Sequence, residues 1–123
     1  MQTPLETIHE YYKVFSTLNL PAIASYYCEP TITVAPHGVL SAPNRAALAD
    51  SLAPIVEGLR AKEYARSEFV QPEVTMLGES AAFVRGIAVR YATTGSELER
   101  LPLGYLMYRS EAGWKIAALV VAR

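Results

Sequence analysis

Cysteine is nearly absent from this sequence. Cys28 is the only one in 123 residues, so no disulfide can form within the chain and a reducing compartment fits best. Histidine is almost as scarce. His9 and His37 stand apart, without grouped carboxylates, and do not make a metal site. Charge is sparse and balanced, with 11 Lys+Arg against 12 Asp+Glu and a net charge of −1. No basic stripe forms, which argues against nucleic acid and anionic membranes as partners. No apolar run approaches the roughly 20 residues that span a bilayer, and no charged-then-apolar leader opens the chain. A cytoplasmic protein is therefore expected.

Apolar residues are in excess. They make up 51% of the chain against 19% charged, which is rich for a small monomer. One domain over residues 1–123 is expected from the length. The apolar surplus predicts surface that is covered by a partner subunit or lines a pocket.

The elements follow from periodicity and punctuation. Thr3, Pro4 and Glu6 form a capping box with proline at the first helical position. Leu5, Ile8, Tyr12 and Phe15 then repeat at helical spacing. Asn19 is expected to cap a short second helix running to about Cys28, stopped by Pro30. Thr31–Pro36 alternates as a strand, and His37-Gly38 turns the chain. The segment VLSAPN leads into a third helix, capped by Ser41 or Asn44, with Leu48, Leu52, Ile55, Val56 and Leu59 buried and a kink at Pro54. From about Lys62 the period becomes that of strands. Glu63–Leu77 is broken by Pro72, which requires an edge or a bulge. Ala81–Tyr91, Leu98–Arg109 and Trp114–Ala122 complete a meander. The last strand is apolar on both faces, as a strand covered on both sides should be. Helices first and sheet last predict an α+β domain.

The strand Ala81–Tyr91 carries an anomaly. Phe83, Arg85, Ile87, Val89 and Tyr91 share one face, apolar except for the arginine. Arg85 is either at a solvated edge or a charge placed inside a concave apolar site.

The segments HEYYKVFSTLNLPAIASYY, TITVAPHG and GYLMYRSEAGWKIAALVV, in this order, resemble the nuclear transport factor 2-like superfamily, in its SnoaL-like and ketosteroid-isomerase-like branch. The resemblance implies a cone-shaped fold, with three N-terminal helices packed on a strongly curved, mainly antiparallel sheet. It also implies an apolar cavity and homodimers formed through the outer sheet face. In the isomerases a first-helix tyrosine donates to an oxyanion, beside an aspartate base and a protonated acid. Tyr11 matches the tyrosine, whereas Ala35 and Gly104 fall at the two acidic positions. Steroid isomerisation by that mechanism is not expected.

The same resemblance turns Arg85, with Ile87, toward the cavity, as a carboxylate anchor or in an ion pair with Glu68 or Glu73. Leu106 and Tyr108 would also face the cavity. Tyr105, Met107 and Arg109, with the C-terminal strand, would face outward at a dimer interface. His37 is a general base in place of the missing aspartate, or a surface turn residue. His9 is read as solvated and Cys28 as a structural thiol. The expected function is binding of a small, largely apolar ligand that bears a carboxylate or other oxygen. A cofactor-free isomerisation, cyclisation or hydration with His37 as base could accompany it. The alternative is a non-catalytic dimerisation or interaction module whose cavity is filled by its own side chains.

Overall fold

The structure, a computed structural model, describes residues 2–122. Three helices, α1 (Pro4–Phe15), α2 (Leu20–Ala24) and α3 (Arg45–Ala61), pack on a six-stranded sheet. Its strands are β1 (Tyr27–Ala35), β2 (Gly38–Ala42), β3 (Tyr64–Leu77), β4 (Ala81–Ala92), β5 (Glu97–Ser110) and β6 (Gly113–Val121). They lie in the order β2-β1-β6-β5-β4-β3, and only β1 and β6 run parallel. The sheet is mixed, curved and unclosed, and the chain is an α+β fold.

The capping box forms as its residues require. The Thr3 hydroxyl accepts from the Glu6 amide at 3.1 Å, and the Glu6 carboxylate accepts from the Thr3 amide at 2.8 Å. Such a cap contributes about 1 kcal/mol. Asn19 and Asn44 cap α2 and α3 through their side-chain oxygens. Ser41 is in β2 instead.

The second helix is shorter than its sequence pattern suggests. It ends at Ser25, and Tyr27 and Cys28 already belong to β1, where Tyr27 pairs with Ile116. Pro30 therefore ends no helix. It sits where the β1–β6 register shifts between Tyr27 and Ile32, a place that needs no ladder donor. The stretch Gly38–Ala42 forms β2 rather than a lead into α3, because Ala35 and Gly38 pair across a tight turn. Gly38 has φ of +147°, a backbone conformation that favours glycine. Helix α3 continues through Pro54 to Ala61. Its inner side is Leu48, Val56 and Leu59, while Ile55 is 45% exposed and outside the core.

Pro72 lies at both a bulge and an edge. Strand β3 borders the sheet, and its register with β4 shifts between Val70 and Glu73, with Gln71 at φ of +53°.

Candidate functional site

The cone's interior is built by α1 packing over β3, β4 and β5. Tyr11, Tyr12, Tyr27 and Tyr105 are buried there, with their rings mostly edge to face. The Tyr11 and Tyr27 hydroxyls bond each other at 2.6 Å, and those of Tyr12 and Tyr105 at 2.8 Å. Burial pushes all four phenols up, Tyr27 to about 12. They are neutral hydrogen-bonding groups at any ordinary pH, and no buried side-chain polar atom among the described residues lacks a partner. Met107, Ile116, Val84 and Ile8 fill the space around them.

These tyrosines occupy the place where the sequence predicts a ligand cavity. Tyr11 does face the interior, but its hydroxyl is bound to Tyr27. The sequence pattern puts Tyr27 on a helix, and the family resemblance turns the strand residue Tyr105 to the outer face; Tyr27 is instead on a strand, and both side chains turn inward. For Tyr105 the reason is a reversal of strand faces that begins on β4. There the covered face is Ala82, Val84 and Ala88, with Arg90 at its end. Arg85 lies on the opposite face, with its side chain 64% exposed and its Nε 2.7 Å from the Glu73 carboxylate. The ion-pair alternative for Arg85 thus describes its surroundings, and the carboxylate anchor inside a cavity is withdrawn. Ile87, paired with Pro102, lies on that outer face too.

Strand β5 is reversed in the same way. Tyr105 and Met107 are buried inside, not at an outer interface, whereas Leu106 and Tyr108 are exposed on the outer side. The cause is visible at the glycines. A Cβ on Gly86 would stand 2.6 Å from the Phe69 ring, so the inner face has room for that ring only because residue 86 has no side chain. Gly104 carries the Phe83 ring on the outer face in the same manner, with 2.3 Å to a built Cβ. The small residues of β4 face inward to receive bulky partners.

The interior does hold an arginine, and it is Arg90. Its guanidinium lies 5.4 Å from the centre of the Phe15 ring and donates to Glu99 at 2.6 Å. Its charge lowers the phenols of Tyr11, Tyr12 and Tyr27 slightly, against the larger effect of burial. His37 is exposed at the β1–β2 turn, beside the Ala35–Gly38 pair. Cys28 is half-buried, which pushes its thiol up. Among the described residues no group of three His, Cys, Asp or Glu is placed to hold a metal.

Two open grooves flank α1. One, of about 470 Å³, lies against the β5–β6 turn. There the Tyr26 hydroxyl donates to Glu10, and burial with that bond pushes Tyr26 up to about 12. The other, of about 710 Å³, runs between α1 and the free edge of β3, past Tyr12, Lys13, Arg66 and Phe69.

The outer sheet face carries exposed apolar side chains on several strands. Pairing places Val39, Val34, Val120 and Gly104 in one row across β2, β1, β6 and β5, ending at Arg85 and Glu73. Ile32, Ala118, Leu106 and Phe83 form the next row. Ile32, Val34, Val39, Leu106 and Val120 are all exposed.

Among curated proteins no sequence matches this chain. Solved structures share its fold. An NTF2-like protein with a cystatin-like fold from Novosphingobium aromaticivorans is 21% identical with a TM-score of 0.76, covering 95% of this chain and 77% of that one. Aln2 from a Streptomyces species is 11% identical with a TM-score of 0.77, covering 100% and 94%. A Catenulispora acidiphila protein in complex with S-DNPA is 14% identical with a TM-score of 0.74, covering 96% and 88%. Over residues 5–123 the sequence matches the family described as NTF2-like protein (DUF6841), and the chain belongs to it.

Proposed function

We propose that this chain is a non-catalytic assembly module that forms a homodimer through the outer face of its sheet. One observation carries the reading: two adjacent rows that cross four strands hold the exposed Ile32, Val34, Val39, Leu106 and Val120, with Ala118 and Phe83 half-buried among them. Contiguous apolar surface of that kind marks an interface. A stable dimer buries about 800 Å² per partner, and the face that would supply it here spans four strands. The tyrosine-filled interior and the alanine and glycine at positions 35 and 104 support a role without a reaction. The lone cysteine fits a reducing, cytoplasmic setting, and no helix among the described residues is long and apolar enough to cross a membrane.

Sedimentation velocity tests the reading on wild type and on Leu106→Glu, a substitution in the exposed row. Wild type is expected to sediment as a dimer at micromolar concentration, and the variant as a folded monomer. A wild-type monomer at high concentration would overturn it.

A second reading, small-molecule binding, is favoured by the 710 Å³ groove, a volume usual for ligand clefts. The Catenulispora acidiphila protein, which shares the fold, is in complex with S-DNPA.

A further inference from the structure

The two edges of the sheet are not alike. Strand β3 carries charges at Arg66 and Glu68 and is broken at Pro72, devices that keep an edge from pairing. Strand β2 has none of them. It includes no charge and no proline, and its pairing with β1 runs without a shift from Ala35–Gly38 to Thr31–Ala42. Val39 and Leu40 are the most exposed large apolar side chains among the described residues, at 66% and 57%.

Hydrogen-bond parity decides which backbone groups of β2 face outward. The turn from β1 has two residues, Pro36 and His37, so the closing pair Ala35–Gly38 exchanges its bonds across the hairpin. Parity then alternates along the ladder. Gly38, Leu40 and Ala42 turn amide and carbonyl toward β1, and Val39 and Ser41 turn theirs to the open edge. Among the described residues neither Val39 nor Ser41 makes a backbone hydrogen bond outside the sheet. Pro43, next along the chain, has no amide hydrogen to add.

We propose that β2 pairs antiparallel with the β2 of a second copy of this chain, about a two-fold axis at Leu40. In that register Val39 lies opposite Ser41 of the other copy, and Ser41 opposite its Val39. Each pair exchanges both hydrogen bonds, so every free group on the two edges is met. A slip of one residue sets outward groups against inward ones. A slip of two sets Val39 against Pro43 or Ser41 against the turn residue His37. Leu40 meets its own copy at the close spacing of a non-hydrogen-bonded pair, about 4.5 Å between Cα atoms. No charge meets a like charge, and the apolar rows headed by Val39 and Ile32 come alongside those of the other copy. A second copy is the fitting occupant because the strand is its own complement. The pairing buries less than the roughly 800 Å² per partner of a standard interface and is therefore weak. It uses a different surface from the outer-face dimer and goes beyond that reading.

Disulfide trapping tests the register in a Cys28→Ser background, which removes the single natural thiol. Leu40→Cys is expected to form a covalent dimer about tenfold faster than Val39→Cys or Ser41→Cys, because only residue 40 lies opposite itself. Equal rates at the three positions overturn the register. Ser41→Pro, added to Leu40→Cys, removes an edge amide hydrogen that β1 does not use and should slow trapping about tenfold. Unchanged trapping overturns the ladder. The substituted residues of β2 are exposed, and far-ultraviolet dichroism verifies each fold. Leu106→Glu, which removes the outer-face dimer, should still self-associate as a pair at high concentration in sedimentation equilibrium. Adding Leu40→Lys, which sets two ammonium groups face to face, should abolish that pair. A Leu106→Glu chain that stays monomeric and traps nothing through Leu40→Cys overturns the edge pairing and leaves the outer-face dimer standing. Growth of that variant beyond a pair overturns the two-fold contact. Trapping through Leu40→Cys in a chain whose dimer survives Leu106→Glu supports the edge and sinks the outer-face reading alone.

Discussion

The two faces of the sheet use the same strands and residues of similar hydrophobicity, yet they solve opposite problems. The inner face meets helices and must be filled, and tyrosine pairs and Met107 close it with every buried polar side-chain atom among the described residues satisfied. The outer face is open over much of its area, although Val89 on it is buried and Arg66 stacks on Tyr91 there. It keeps two rows of apolar side chains, bordered by the Arg85–Glu73 pair. Arg85 and Arg90, five residues apart, show the same contrast. The first is in solvent with a carboxylate. The second has its side chain 17% exposed, between Phe15 and Glu99. Hydrophobicity alone does not decide which face becomes core. The shape of the facing layer does.

The contrast is most sharply drawn by adjacent residues on β5. Met107→Ala removes a side chain with 0% exposure from the core and should cost about 2–5 kcal/mol in urea denaturation. Leu106→Ala, its exposed neighbour, should cost under about 1 kcal/mol at concentrations where the chain is monomeric. Equal losses would erase the distinction between the faces.

Alkaline titration probes the filled interior through its phenols. A phenol whose folded pKa stands above its ordinary value of 10 keeps its proton in the fold while the unfolded chain releases it. The resulting stability is complete below pH 10 and is lost as the pH rises toward about 12, the value to which Tyr27 is pushed. That single group contributes a loss of about 2–3 kcal/mol across the window. Absorbance at 295 nm and far-ultraviolet dichroism should therefore change together for the buried tyrosines. Ionisation of all tyrosines near pH 10 in a folded chain would contradict the filled interior.

The glycines test the contrast at single contacts. Gly86→Ala drives a Cβ into a Phe69 ring confined in the core, with the Val70 carbonyl at 3.0 Å, and should cost about 1–3 kcal/mol by thermal unfolding. Gly104→Ala should cost less at concentrations where the chain is monomeric, because the Phe83 ring can then lift away from an uncovered surface. The reverse order would mean that the outer face is the tighter one.

Much of the architecture was legible in the sequence. The Thr3–Glu6 box, the Asn19 and Asn44 caps and the bulge at Pro72 are local chemistry, complete within a few residues. The direction of β4 and β5 was not. Alternation sorts side chains into two sets but does not say which set faces inward, and a sheet apolar on both sides offers no polar contrast to decide. A usable signal was present in Ala82, Val84, Gly86 and Ala88. A run of small residues on one face makes room for large partners, which here are Phe69, Tyr105 and the aromatic residues of α1. Likewise Tyr26-Tyr27 looked like the end of a helix, because the parallel partner that draws Tyr27 into the sheet, Ile116, is far along the chain.

The bulge in β3 has a consequence for how the sheet ends. An edge strand of 14 residues is a template on which a stray chain can crystallise into one more strand. Here the template is cut in the middle. Gln71 turns through positive φ, and Pro72 has no amide hydrogen to offer, so the two halves cannot serve one straight visitor in a single register. What stays open beyond the cut is Glu73–Leu77, about 17 Å of edge. Sheet growth from this side is thereby limited to one half of the strand at a time, Tyr64–Val70 or Glu73–Leu77, and the protein is shielded from stacking edge to edge along the length of the strand.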